Sequence, residues 1–270
     1  MKLGLALIET AFSARPAINL EAVKLAEDLG FHSVWAAEAY GCDAVSSAAW
    51  LAAHTSRINI GTSIMQIPAR TPAAAAMAAI GLDALSGGRF ILGLGSSGPQ
   101  VAEGWHGIPY DRPLTRTREY VAIIREILAR EEPLTFEGYH YQLPLTGPNT
   151  TGAGKPLKSV AHTNPEQPVF LASIIPGGLR CAAEIAEGVL LSFVDPDDTA
   201  DIVDRHLAEG FAKDGARCTR EQFTVSTFVN VIVDDNVQGV QDMMKPALAR
   251  QLGGMGSKAK NFYAEFARRM

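Results

Sequence analysis

Short apolar runs alternate along the chain with longer stretches whose apolar positions recur every three to four residues. The runs at 3–9, 33–39, 58–66, 90–96, 168–175, 188–193 and 223–233 predict strands. Between them the helical period predicts helices from Pro16 to Gly30, over 43–55, over 72–84 and from Pro113 to about Arg130. Further helices are predicted over 178–187, near 196–214, and over 237–252 and 256–268. Prolines at 16, 72 and 113 suit first helical turns, where a missing N–H costs nothing. LTFEGYHYQLP, at 134–144, alternates about Glu137-Gly138 and predicts a surface hairpin. Residues 145–167, rich in Gly, Pro, Thr and Asn, form an inserted loop, because the repeat resumes after them.

Strands that are apolar on both faces, each followed by a helix, predict a parallel sheet covered by helices. Seven such repeats in 270 residues fit one α/β domain, 1–270, built as a (β/α)8-type barrel better than an open sheet. An eighth strand is missing from the pattern, so the last β/α unit of the barrel is expected to be absent.

Composition narrows the function. Apolar residues make up 47 % and charged residues 20 %, with a net charge of -5 and no run of Lys or Arg. Nucleic acid is therefore not an expected partner. MKLGLALIET turns acidic too early for a signal peptide and GVLLSFV is too short to span a bilayer, so no membrane association and a cytoplasmic protein are expected. Cys42, Cys181 and Cys218 lack CxxC spacing, and the six histidines show neither HExxH nor HxH, so no metal site is expected. No GxSxG elbow occurs, which disfavours serine hydrolysis.

The strand ends carry the polar residues: Glu9 and Thr10, Glu38, Thr62 and Ser63, Ser96 and Ser97, Ser173, and Ser192. In a barrel these ends form the mouth where sites are built. A mouth lined with hydroxyls and amides suits a large hydrogen-bonding cofactor. Gly93-Leu94-Gly95-Ser96-Ser97-Gly98 formally matches GxGxxG. A dinucleotide turn must open a helix in the first repeat, however, and this match lies in the fourth, ahead of Pro99, Gly104, Gly107 and Pro109. The glycines instead predict a strand end that a flat or anionic ligand can approach closely.

GTSIMQIPARTPAAAAMAAIGLDALSGGRFILGLGSSGPQVAEGWHG, residues 61–107, resembles the luciferase-like monooxygenase superfamily, and within it the branch that uses the deazaflavin coenzyme F420. The likeness runs from MKLGLAL through VWAAEAYGCDA, TFEGYHYQLP and AEIAEGVLL to LGGMGSKAKNFY. It implies a bacterial-luciferase-like TIM barrel whose family members continue beyond Met270. It also implies a flavin or deazaflavin ring resting on a bulge of the third strand, Thr62-Ser63-Ile64, with a non-prolyl cis bond between Ser63 and Ile64. By the same resemblance, Gly95, Ser96, Ser97, Gly98, Gln100 and Val101 meet the cofactor's tail, Ala172, Ser173 and Ile174 line the opposite side, and Pro176, Gly177 and Gly178 receive its phosphate. Glu38 is expected to contact the ring, and Glu9 and His106 are the proton-handling candidates. Sugar-phosphate dehydrogenases of the family carry a His and a Glu where this chain has Ala39 and Gly98, which argues against that substrate. The implied activity is hydride transfer between F420 and a small organic substrate, in a homodimer. An FMN-dependent two-component monooxygenase and a non-catalytic flavin-binding barrel are the alternatives.

Overall fold

A computed structural model of the chain describes residues 1–162, 164–192, 194 and 199–254. Its first half runs β1 (Gly4–Leu7), α1 (Glu9–Phe12), α2 (Leu20–Asp28), β2 (Ser33–Ala36), α3 (Ala44–His54), β3 (Asn59–Thr62), β4 (Met65–Gln66), α4 (Pro72–Ser86), β5 (Phe90–Gly95) and α5 (Pro99–Ala102). There follow α6 (Pro113–Ala129), the hairpin β6 (Phe136–Glu137) and β7 (Gln142–Leu143), β8 (Val169–Ala172), α7 (Pro176–Ile185), β9 (Gly188–Leu191), α8 (Arg205–Phe211), β10 (Thr224–Thr227) and α9 (Val237–Gly254).

The main sheet is parallel and keeps chain order, β1-β2-β3-β5-β8-β9-β10, with β4 beside β5. It curls. Trp35 on β2 and Phe170 on β8 stand three strands apart, about 14 Å in a flat sheet, yet their ring centroids are 5.8 Å apart. Alternation explains the two layers. Val34, Ile60, Leu92, Val169 and Val189 face outward into the core shared with the helices, while Trp35, Ile91, Phe170 and Leu190 meet on the concave side. Gly61 gives the Trp35 ring its room, since a Cβ there would collide with it. No strand pairing joins β10 to β1 among the described residues, so the wall is an open barrel of seven strands in sequence, as the missing eighth strand implies.

Several predicted bounds shift for local reasons. The helix expected from Pro16 starts at Leu20, because the Asn19 side chain accepts from the Ala22 amide at 3.1 Å and caps it there. The strand expected at 223–233 stops at Thr227: beyond it Val229, Val231 and Val233 are exposed. The segment after Gly98, where prolines and glycines argue against helix, forms the single-turn α5 with Pro99 in its first turn. A π-type turn, Ala200–Asp204, precedes α8. Residues 195–198 and the helix expected over 256–268 lie outside the described residues. No described helix is long and apolar enough to cross a membrane.

Candidate functional site

The run INIGTSIMQ is apolar enough for one strand but does not stay in register. Gly61 stands opposite Ile91 and Met65 opposite Leu94, so the three residues Thr62 to Ile64 face the two residues Leu92 and Gly93. The extra residue is a bulge, a device that re-aims a strand end. The Ser63–Ile64 peptide bond within it is cis. Thr62 locks the bulge: its hydroxyl donates to the Gly93 carbonyl at 2.8 Å and accepts from the Gly93 amide at 3.0 Å. The Ser63 amide donates to the Ala36 carbonyl at 2.7 Å, tying the bulge to the end of β2.

This changes the meaning of the glycines. A Cβ on Gly93 would run into the Thr62 carbonyl, and one on Gly95 into the Ile64 side chain. The space they leave is filled by the neighbouring strand's bulge, not left open to a ligand. Thr62, fully buried with its hydroxyl spent on Gly93, is a structural part of the bulge rather than a group free to meet a cofactor. Ile64 projects to the concave side, where it packs with Ala172 of β8 on the Trp35–Ile91–Phe170–Leu190 cluster.

The polar centre of the mouth is Gln66, the residue that ends β4, whose side chain is buried. Its backbone amide donates to Glu38 Oε2 at 2.9 Å. Its side-chain nitrogen donates to the Glu38 carbonyl at 3.4 Å and to Ser97 Oγ at 3.3 Å. That orientation turns Gln66 Oε1 toward His106, whose Nε2 lies 2.8 Å away and is therefore the protonated ring nitrogen. Glu38 was expected to touch a ring; instead Arg70 grips its carboxylate from both sides, at 2.9 and 2.5 Å, with the two side chains only 7 % and 16 % exposed. Burial alone would lower the Arg70 pKa, but the hydrogen bonds and charge of Glu38 more than offset it and hold the guanidinium above its usual value.

Ser97 follows β5 with φ at +58°, a conformation that is uncommon for a non-glycine residue and clusters at functional sites. Tyr110 donates to its carbonyl at 3.3 Å, and burial raises the Tyr110 hydroxyl's pKa. Gln100 on α5 leans over Gly98, and its Oε1 is buried without a hydrogen-bond partner. Val101 is buried behind it. Across the mouth, Ser173 Oγ accepts from the Ile175 amide at 3.3 Å, and the space of a Cβ on Gly178 is taken by that serine side chain. Ile174 is buried; Pro176, Gly177 and Gly178 form the first turn of α7.

Glu38, Ser97 and His106 thus meet through Gln66, and Ile64 and Ala172 meet in the concave cluster. The Ser173–Gly178 segment forms a separate bank. Glu9 opens α1 at the end of β1; its side chain lies outside the described part. Sequence reasoning missed Gln66 and Arg70. Gln66 is the one polar residue closing an otherwise apolar run, IMQI, and that interruption was the available signal. Among the described residues no group of His, Cys, Asp or Glu is placed to hold a metal ion.

Residues 5–270 match the model of the family described as luciferase-like monooxygenase. A Mycobacterium tuberculosis protein provisionally named coenzyme F420-dependent oxidoreductase Rv3520c is 48 % identical over 272 residues, covering 100 % of this chain and 78 % of that protein. A 5,10-methylenetetrahydromethanopterin reductase of Methanolobus tindarius is 33 % identical over 71 % of this chain and 55 % of its own length. Among solved structures, a coenzyme F420 dependent tetrahydromethanopterin reductase from Methanopyrus kandleri superposes with a TM-score of 0.76 at 24 % identity, over 94 % of this chain and 73 % of its own. An F420-dependent secondary alcohol dehydrogenase, solved with an F420-acetone adduct, gives 0.79 at 18 % identity, over 99 % and 80 %. Both likenesses concern the fold.

Proposed function

Since the chain belongs to the luciferase-like monooxygenase family, we propose that it is an F420-dependent oxidoreductase that moves a hydride between the deazaflavin and a small organic substrate at the barrel mouth. The supporting observation is the mouth itself: a bulge carrying Ile64 onto the concave cluster, beside a hydroxyl-rich strand end with an unsatisfied acceptor at Gln100. A buried acceptor without a donor is costly, and a ligand carrying hydroxyls or an N–H would satisfy it. The bulge and Ile64 would support the ring, and Ser96, Ser97, Gly98 and Gln100 would hold the tail. Bound there, F420 supplies a carbon hydride donor or acceptor that reacts poorly with oxygen.

The protein's own residues supply positioning and proton handling. Gln66 holds His106 with Nε2 protonated, so in the neutral imidazole Nδ1 is the lone-pair nitrogen available to take a proton. Glu38 and Arg70 fix Gln66 in turn, which removes the rotational freedom that would blur that geometry. Glu9, at the start of α1, is the second group able to exchange a proton at the mouth.

The test is a pair of titrations, oxidised F420 and FMN, followed by cofactor fluorescence. Micromolar or tighter F420 binding with much weaker FMN binding supports the reading. The reverse preference replaces it with a two-component FMN monooxygenase, and binding of neither removes the cofactor assignment.

A further inference from the structure

The loop that follows α5 folds back onto the end of β5 through one tyrosine. Tyr110 lies in the connection between α5 and α6. Its amide donates to Glu103 Oε1 at 3.2 Å, the Ile108 amide donates to the Ala102 carbonyl at 2.8 Å, and Arg116 of α6 donates to the Pro109 carbonyl at 3.1 Å. These anchors fix where the ring stands. The Tyr110 hydroxyl donates to the Ser97 carbonyl at 3.3 Å, and the Ser96 hydroxyl, which reaches the same carbonyl at 3.4 Å, adjoins it. The cavity beside the ring, bounded by Ile67, Pro68, Ala102 and Ile108, measures about 10 Å³, no more than one water needs. Tyr110 is therefore a packed joint and not the wall of a ligand pocket.

Ser97 is the residue that needs such a hold. Its φ of +58° is unfavourable for a residue with a Cβ and persists only where the surroundings enforce it. Gln66 Nε2 grips the Ser97 hydroxyl from the side of β4, at 3.3 Å, and Tyr110 grips its carbonyl from the loop. The two grips are linked. His106, four residues before Tyr110, bonds Gln66 Oε1 at 2.8 Å, so Gln66, Ser97 and the segment 106–110 close a ring of contacts. One short loop thereby holds both the proton-handling histidine and the strand-end turn.

The consequence falls on the next amide. In a planar trans peptide the C=O and N–H point in opposite directions, so a Ser97 carbonyl pinned to Tyr110 turns the Gly98 N–H away from the loop. Gly98 is buried, and among the described residues no group accepts from that amide. A buried donor without an acceptor is costly, and an oxygen of a ligand would complete it. Beside it stands Gln100 Oε1, likewise buried without a partner. We infer that Tyr110 is the positioning residue of this turn: by pinning the Ser97 carbonyl it keeps the Gly98 amide set for an anionic oxygen of the cofactor's tail. This rests on the proposed F420 reading for the identity of the tail, while the hold of Tyr110 on Ser97 is independent of any cofactor.

The test titrates the full chain, by fluorescence, with F420 and with its tail-less chromophore, the 8-hydroxy-5-deazaflavin that keeps the ring and ribityl chain but carries no phosphate. Tyr110→Phe keeps the aromatic ring and removes one neutral hydrogen bond, so F420 binding should weaken about three- to tenfold while the tail-less chromophore stays within about twofold. In a Ser97→Gly background, where left-handed backbone costs little, the same substitution should change F420 affinity by less than about twofold. Amide hydrogen exchange without cofactor reads the hold directly. The Val101 and Ala102 amides, which donate to the Gly98 carbonyl at 3.1 and 2.9 Å, should exchange at least about threefold faster in Tyr110→Phe, with the interior of α6 unchanged. Equal weakening of both ligands, full additivity with Ser97→Gly, or unchanged exchange would overturn the inference. If the parent chain binds neither ligand the F420 reading fails, and the exchange comparison alone decides whether Tyr110 holds the turn.

Discussion

Removing Arg70 exposes what the mouth's polar network costs to maintain. In Arg70→Met the Glu38 carboxylate loses both guanidinium hydrogen bonds and keeps only the Gln66 amide, in a site where its side chain is 7 % exposed. Deleting one partner of a buried pair typically costs about 3–5 kcal/mol. The slight opening at Arg70, 16 % exposed, lets some water reach the stranded carboxylate, so about 2–4 kcal/mol is expected here. At the size of this chain that lowers Tm by about 5–12 °C in a thermal melt followed by circular dichroism. Adding Glu38→Gln removes the stranded charge yet still offers the Gln66 amide an acceptor, so Glu38→Gln/Arg70→Met should regain at least half of the loss. The resulting non-additivity is expected to exceed about 1.5 kcal/mol, and raising the salt should change it little, because buried pairs are weakly screened. A loss under about 1 kcal/mol for Arg70→Met, or a double variant as unstable as the sum of the singles, would show that the pair is solvated and does not fix Gln66.

Gly95→Ala should cost about 1–3 kcal/mol and weaken F420 binding together, because the new methyl displaces Ile64 from the bulge; adding Ile64→Ala should recover stability in the same melts. Glu9→Gln should slow turnover while leaving F420 affinity within about twofold, since the change removes a proton site and little volume; unchanged turnover would remove Glu9 from the mechanism. Far from the mouth, Glu184 on α7 accepts from Arg118 at 2.7 Å and Lys213 at 2.6 Å. Burial pushes its pKa up, but these hydrogen bonds and charges outweigh it and hold the carboxyl below its usual value. Its contribution is therefore present above pH 4.5 and lost as pH falls further. Glu184→Gln should be less stable by about 1 kcal/mol near neutrality, with melts of the two proteins converging in acid.

The sequence was most legible where one local signal sufficed. Pro72 opens α4, Asp43 caps α3 through the Ser46 amide at 2.8 Å, and each apolar run delivered a strand. It was least legible where the decisive partner is remote in sequence. Gly93 and Gly95 look like a ligand's landing strip because glycine carries no record of what fills the space beside it. Their occupants, the Thr62 carbonyl and the Ile64 side chain, lie about thirty positions earlier and arrive there only because β3 and β5 pair. The same holds for Glu38, which reads as an acid poised at a strand end until Arg70, thirty-two residues on, takes both its oxygens.

That distinction bears on which residues deserve the word catalytic. Both oxygens of Glu38 are gripped by a buried guanidinium, so Glu38 acts through what it holds. Gln66, by contrast, carries no charge and cannot exchange a proton, yet it contacts both Glu38 and His106. In the proposed reaction proton handling therefore falls to His106, at the end of this network, and to Glu9 at the start of α1, while Glu38, Arg70 and Gln66 set direction. Substitutions at Glu38, Arg70 and Gln66 should consequently change stability and kcat together.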